Sequence, residues 1–250
     1  METGCRRAIL FLLFSPLFGT GFAQTETPVK VDKPLKSYSH WYFGAEYGVP
    51  FLFGDFTSFS ADKTYVGSQF GGFAGYQVNS WIGIEASART GYTRMGAKSY
   101  AGDYLMNADG MTYYTNQDFN TWKYKDVFSK VHFTNIGLQM NLNVNNFFGP
   151  NRGNRRWTVL LSPAVYAQHF STELINKADK SPLSGKKTDK WNIGIGGDVS
   201  LRYKISRAFD VQLRTGIIWV NNNKMDGIST LIKSKDHFMT SAGLSLIWKV

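Results

Sequence analysis

Apolar and polar residues alternate along most of this chain. Eight stretches carry the pattern, at roughly 39–53, 65–78, 81–96, 130–144, 156–170, 190–205, 208–220 and 237–250. A period of two predicts β-strands with one apolar and one polar face. In the first, Trp41, Phe43, Ala45, Tyr47, Val49 and Phe51 take every second place; His40, Tyr42, Gly44, Glu46, Gly48 and Pro50 take the others. The third sets Ile82, Ile84, Ala86, Ala88 and Tyr92 against Gly83, Glu85, Ser87, Arg89 and Gly91. The fourth sets Ile136, Leu138, Met140 and Leu142 against Asn135, Gly137, Gln139 and Asn141. The second and fifth follow the rule less cleanly; the fifth breaks at Leu160 and carries Pro163.

The connections alternate as well. They are long after strands one, three, five and seven, and shorter after two ("NS"), four ("NNFFGPNRGNR") and six ("SR"). Short turns at one end and long loops at the other predict an all-β fold, an eight-stranded antiparallel up-and-down transmembrane β-barrel with both termini periplasmic. A secreted lipocalin has the same strand number but turns its apolar face inward. Three features favour the opposite orientation, with the apolar face toward lipid. Trp41, Tyr92, Trp157, Trp191, Trp219 and Trp248 lie on the apolar face near strand ends, where aromatic girdles meet the membrane interfaces. The polar face is rich in glycine, as a narrow interior filled by side chains requires. Its mid-strand charges come in both signs: Glu46, Glu85 and Asp198 could meet Arg89, Arg202 and Arg214. Inside a barrel these six would form a lumen ion-pair network that passes no bulk water. A narrow gated channel through that network is the transport alternative.

Composition changes the picture at the N-terminus. Arg6 and Arg7, an apolar run from Ala8 to Phe18, and the small residues Gly21 and Ala23 predict a secretory signal peptide over 1–23, cut after Ala23. The single cysteine, Cys5, would leave with it, so the mature chain forms no disulfide. Residues 24–38 read as a flexible periplasmic tail, and 39–250 as the barrel. Mean hydropathy is −0.25. That value looks soluble, but a membrane barrel dilutes its apolar residues with lumen residues.

The C-terminal "SAGLSLIWKV" carries Ser241, Gly243, Leu246 and Trp248 in a polar-x-Gly-x-x-apolar-x-aromatic order. Together with the signal, the amphipathic strands and the long loops, it resembles the small OmpA/OmpX-type outer-membrane barrels. In style it is closest to the outer-membrane β-barrel and PorT-like proteins of Bacteroidetes. The family's insertion signal corresponds to those four residues, although this chain continues to Lys249 and Val250 rather than ending on Phe. The resemblance implies a bacterial outer-membrane location. Its implied partners are outer-membrane lipid, lipopolysaccharide and the barrel insertion machinery, with surface or envelope proteins as further possibilities. It also implies a structural, adhesive or envelope-assembly role exerted through extracellular loops.

The chain has a formal net charge of +10. Lys177, Lys180, Lys186, Lys187 and Lys190 crowd the third long loop, where they could meet lipid phosphates or simply be solvated. The second long loop, 100–126, is rich in Tyr, Asn and Asp and could be a recognition surface. No nucleic-acid motif accompanies the basic residues. His169 and Ser171 stand two apart on the apolar parity. The pair resembles the His-x-Ser of outer-membrane lipid A deacylases, which implies an enzymatic alternative with Glu173 or Asp189 as the acidic partner. The family's following Asn-Ala-Gly is replaced by Thr172, Glu173 and Leu174. His40, His132, His169 and His237 lack metal-ligand spacing. Neither a metal nor a cofactor is expected.

Overall fold

A computed structural model describes residues 39–54, 56–97, 123–147, 155–183, 188–220, 225–227 and 237–250. The expected signal peptide and tail, most of the second long loop, and Lys186 and Lys187 lie outside the described residues. The main strands are β1 His40–Phe53, β2 Ser68–Gln77, β3 Ile82–Ala97, β4 Val127–Asn143, β5 Trp157–Asn176, β6 Thr188–Lys204, β7 Phe209–Val220 and β8 His237–Lys249. Each pairs antiparallel with the next. Strand β8 returns to β1, from Tyr42↔Lys249 to Phe53↔Phe238. The ring is thus a closed up-and-down barrel, and closure removes the edges an open sheet would present.

Alternation decides what faces where. Ile84, Ile136, Leu138, Val165, Ile193, Ile195, Leu213, Leu244 and Leu246 are exposed on the outer surface. The intervening positions, such as Glu85, Gln139, Asp198, Gln212 and Ser245, are buried. An apolar wall around a polar interior suits hydrocarbon outside, where every backbone group must find its partner within the barrel. Bulky inward rings need empty places opposite them. A Cβ at Gly75 would fall within the ring of Tyr42, and one at Gly44 within the ring of Phe73.

The fifth stretch runs on to Asn176 and alternates strictly from Leu160 to Thr172. Its break at Leu160 has a simple cause: Leu160, Ala164, Tyr166 and Phe170 are the inward residues. Pro163 faces outward. The fourth begins at Val127, earlier than its pattern indicates, because Val127, Val131 and Phe133 are also inward and apolar.

The end of the barrel that holds both ends of the strand array carries the short connections. Asn79 Oδ1 accepts from the backbone N–H of Trp81 (2.8 Å) and Ile82 (2.9 Å). Ser206 Oγ accepts from Phe209 N–H at 2.9 Å. After β4 the chain makes one helical turn, Val144–Phe147, which the period-two pattern does not reveal. This is the terminal end of the barrel; the opposite one, which carries the long connections, is the loop end.

At the loop end β1 outruns β2, which pairs only as far as Gly48↔Gln69. A two-residue strand, Phe56–Thr57, occupies the gap, pairing with β1 at Phe53↔Thr57 and with β3 at Phe56↔Ala97. Beyond it, Lys177 Nζ meets Asp62 Oδ2 at 2.5 Å and clasps the connection after β5 to that after β1. Partial burial works to raise the Asp62 pKa, but the Lys177 hydrogen bond and charge outweigh it and hold the carboxyl below its ordinary value. A depressed folded pKa means the clasp acts fully above the unfolded carboxylate value of about 4 and is lost as pH falls through the folded one. Because Asp62 is about half exposed, solvent screening keeps its contribution below about 1 kcal/mol. Spin labels on the two connections should therefore report a fixed distance at neutral pH and a broadened one at acid pH. Asp62→Asn should broaden it at neutral pH; a distance indifferent to both would refute the clasp.

Candidate functional site: the filled lumen

Five of the six charges predicted for the interior converge at mid-barrel. Arg89, on β3, places Nε 3.3 Å from Glu46 Oε1 and Nη2 3.0 Å from Asp198 Oδ2. Arg214, on β7, places Nη2 2.8 Å from Glu85 Oε1, Nη1 3.4 Å from Glu46 Oε2 and Nε 3.9 Å from Asp198 Oδ2. Two guanidiniums thus bridge three carboxylates contributed by β1, β3 and β6. Strand pairing brings them together: Glu46 lies across from Gly71 and Ser245, and Gly71 lies across from Arg89.

Neutral groups complete the carboxylates' shells. Glu85 accepts from Gln139 Nε2 (3.0 Å), Asn141 Nδ2 (3.0 Å) and Tyr42 Oη (3.1 Å). Glu46 accepts from Ser245 Oγ at 3.3 Å. All five ionic side chains are less than 5% exposed. At such burial, attraction offsets the desolvation penalty only where geometry and accessory hydrogen bonds are good.

Arg202 is placed differently. Its Nε donates to Gln212 Oε1 at 2.9 Å, and its guanidinium lies over the Tyr42 ring, 5.1 Å from the centroid. Among the described residues no carboxylate pairs with it directly; it reaches Glu85 through Tyr42. The reason is positional, since Arg202 sits two inward places nearer the terminal end than Asp198 on β6.

Toward the loop end the lumen turns apolar. Leu52, Phe56, Met95, Val127, Phe133, Phe170, Met225 and Met239 form a buried cluster. Residues from the connection after β7 are held inside it: Thr172 Oγ1 donates to Met225 O at 2.7 Å, and Asp226 Oδ2 accepts from Phe56 N–H at 3.1 Å. His237 Nε2 lies 3.6 Å from the same Asp226 oxygen, both side chains fully buried. No pattern in the sequence points to Phe56, Met225 and Asp226, which stand outside any alternating run. His237 was visible only as one of four scattered histidines.

The remaining candidates lie on the outside. Trp41, Trp157 and Trp248 are exposed at the terminal end of their strands; Tyr92, Trp191 and Trp219 are exposed toward the loop end. Of the proposed insertion signal, Leu246 and Trp248 point outward and Gly243 inward, with Ser241 half-buried. His169 Nε2 contacts Asp189 Oδ1 on the neighbouring β6. Ser171 Oγ is shielded from solvent and has no hydrogen-bond partner, so His169 and Ser171 do not form the bonded pair that a serine nucleophile needs. Glu173, the other acidic candidate, lies across from Lys130. Among the described residues no group of three His, Cys, Asp or Glu side chains could hold a metal.

No protein-family model matches this chain, and no curated protein matches it in sequence. Among solved structures it is similar to Neisserial surface protein A, with a TM-score of 0.46 and 12% identity over 84% of this chain and 97% of that one. It is similar to Ail, the attachment invasion locus protein of Yersinia pestis, solved with the heparin analogue sucrose octasulfate. There the TM-score is 0.46 and identity 10%, over 85% of this chain and 99% of that one. A major outer membrane protein from Thermus thermophilus gives 0.46 and 11%, over 84% and 99%. Identity this low carries no site residue across.

Removing Arg214 would leave Glu46, Glu85 and Asp198 with one guanidinium among them. Arg214→Ala should cost about 3–5 kcal/mol, the range for breaking a buried pair from one side. Denaturant unfolding of the detergent-solubilised barrel measures it. A loss no larger than that of Arg207→Ala, a control in the exposed turn between β6 and β7, would show the network to be dispensable.

Proposed function

We propose that the chain is an integral outer-membrane β-barrel whose lumen is sealed and whose work is done at its ends. The observation that carries this is the two-stage filling of the interior: the Glu46, Glu85, Arg89, Asp198 and Arg214 network at mid-barrel, followed by the apolar cluster around Phe133 and Met239. An ionic plug with an apolar stopper above it would block an aqueous path. The role is therefore structural, adhesive or envelope-assembling, expressed through the long connections on the extracellular side, with both termini in the periplasm. The apolar belt and its aromatic rims are the contact with outer-membrane lipid and lipopolysaccharide. Ser241, Gly243, Leu246 and Trp248 would present the last strand to the insertion machinery. The reading is that of a small OmpA/OmpX-type barrel, with the Bacteroidetes style, resting on the sequence resemblance alone, as its finer form. Planar-bilayer recording tests the closed lumen: the wild-type protein should be electrically silent, and regular conductance steps would reject this reading in favour of a narrow channel.

A second reading, a lipid A deacylase using His169 and Ser171, draws support from the contact between His169 and Asp189. It requires Ser171 to turn toward the imidazole. Mass spectrometry of lipid A from cells expressing the wild-type chain and His169→Ala decides it. The bonding pattern predicts identical acylation in both; loss of an acyl chain with the wild type alone would establish the enzyme.

A further inference from the structure

At the terminal end, beyond the ion-pair network, the inward residues enclose a cavity of about 210 Å³. Arg155, Arg156, Arg202, Lys204 and Lys249 contribute to its wall, and Asp210 is the one acidic side chain among the described residues there. Lys249 Nζ already engages Asp210 Oδ1 at 2.6 Å, so the acidic group is spent on one cation. Arg155 Nη1 donates to the backbone oxygen of Asn145 at 2.8 Å. Arg156 and Lys204 form no ion pair among the described residues.

Arg202 supplies the independent sign. It is 9% exposed, its Nε is committed to Gln212, and its face is committed to Tyr42. Its Nη2 is buried with no hydrogen-bond partner. A guanidinium nitrogen shut away from water without an acceptor is costly. Cations crowded around a concave, low-dielectric wall also focus a positive potential into it. Both costs fall if the cavity holds an anion.

We propose that this vestibule is a binding site for a small, doubly charged oxyanion of the phosphate class, entering from the aqueous space at the terminal end. The guanidiniums of Arg156 and Arg202 match tetrahedral and planar oxyanions through forked N–H donors, and Lys204 adds a point charge. The lipid headgroup is not the occupant, because the wall is built from the terminal ends of the strands and the short connections after β2 and β4, around inward Thr158, Leu160 and Arg202, rather than from the lipid-facing side. Inorganic phosphate and a soluble phosphate monoester share the required chemistry, and binding separates them.

The test is isothermal titration of the full-length protein in detergent, at constant low ionic strength, with sodium phosphate, glycerol 3-phosphate and sodium acetate. One phosphate ligand should bind per barrel, roughly tenfold or more tighter than acetate, since a single extra charge-assisted contact is worth about that factor. Affinity should fall as salt is added. The double variant Arg156→Gln/Lys204→Gln should weaken phosphate binding about tenfold or more while keeping the heat-dependent gel mobility of a folded barrel. A tighter ester than phosphate identifies an organic phosphate as the occupant; the reverse identifies the inorganic ion. No saturable heat with either, acetate binding as tightly, or a folded double variant that binds like the wild type would each overturn the site.

Discussion

A barrel wall surrounded by hydrocarbon can leave no backbone group and no charge without a partner. The ring of eight strands satisfies the first demand by bonding β8 back to β1. The second is met at mid-barrel by sending charges inward, where Arg89 and Arg214 hold Glu46, Glu85 and Asp198. These two solutions depend on each other. An interior this narrow has room for a bridging arginine only because glycine and alanine occupy the places opposite the large side chains, as Gly216 does for Asp198.

The filling is not uniform along the axis, and its gradient explains the division of labour. Charges at the centre fix which strands face one another, since a one-residue slip would carry a carboxylate into lipid. The apolar cluster at the loop end can tolerate irregular backbone, and there the connections after β1 and β7 enter the barrel mouth through Phe56, Met225 and Asp226. At the other end the cationic residues outnumber their acidic partners, and the interior opens. Arg202 lies on the boundary, stacked on the same Tyr42 whose hydroxyl donates to Glu85. An anion drawn to the vestibule would thus act on a side chain already coupled to the plug.

How far all this could be read from the sequence depended on contrast between the two faces. Strands β1, β3, β4 and β6 were legible because inward Glu46, Glu85, Gln139 and Asp198 alternate with outward aromatics and aliphatics. The clean reading failed wherever the lumen itself is apolar. Phe73 on β2 and Leu160, Tyr166 and Phe170 on β5 are inward yet hydrophobic, so binary pattern could not tell their two faces apart. The site was partly legible for the same reason. Parity identified which charges share the interior, but not height along the axis, which separates Arg202 from its five companions. The contact between His169 and Asp189 needed the β5–β6 register, and the residues of the mouth lie in connections where no periodicity exists.

The chain's first strand and its last are neighbours, with the backbone N–H of Val250 donating to the Trp41 carbonyl at 2.9 Å. No partial set of strands can therefore complete the ring: the seam joins the first strand of the ring to the last, the most non-local strand pairing among the described residues. Such contacts repay their loop-closure entropy only at the final step of folding. Until β8 docks, β1 and β7 each present a raw edge. The polypeptide must be kept from pairing with strangers while it waits, and its release into the bilayer and its acquisition of a native lumen become one event.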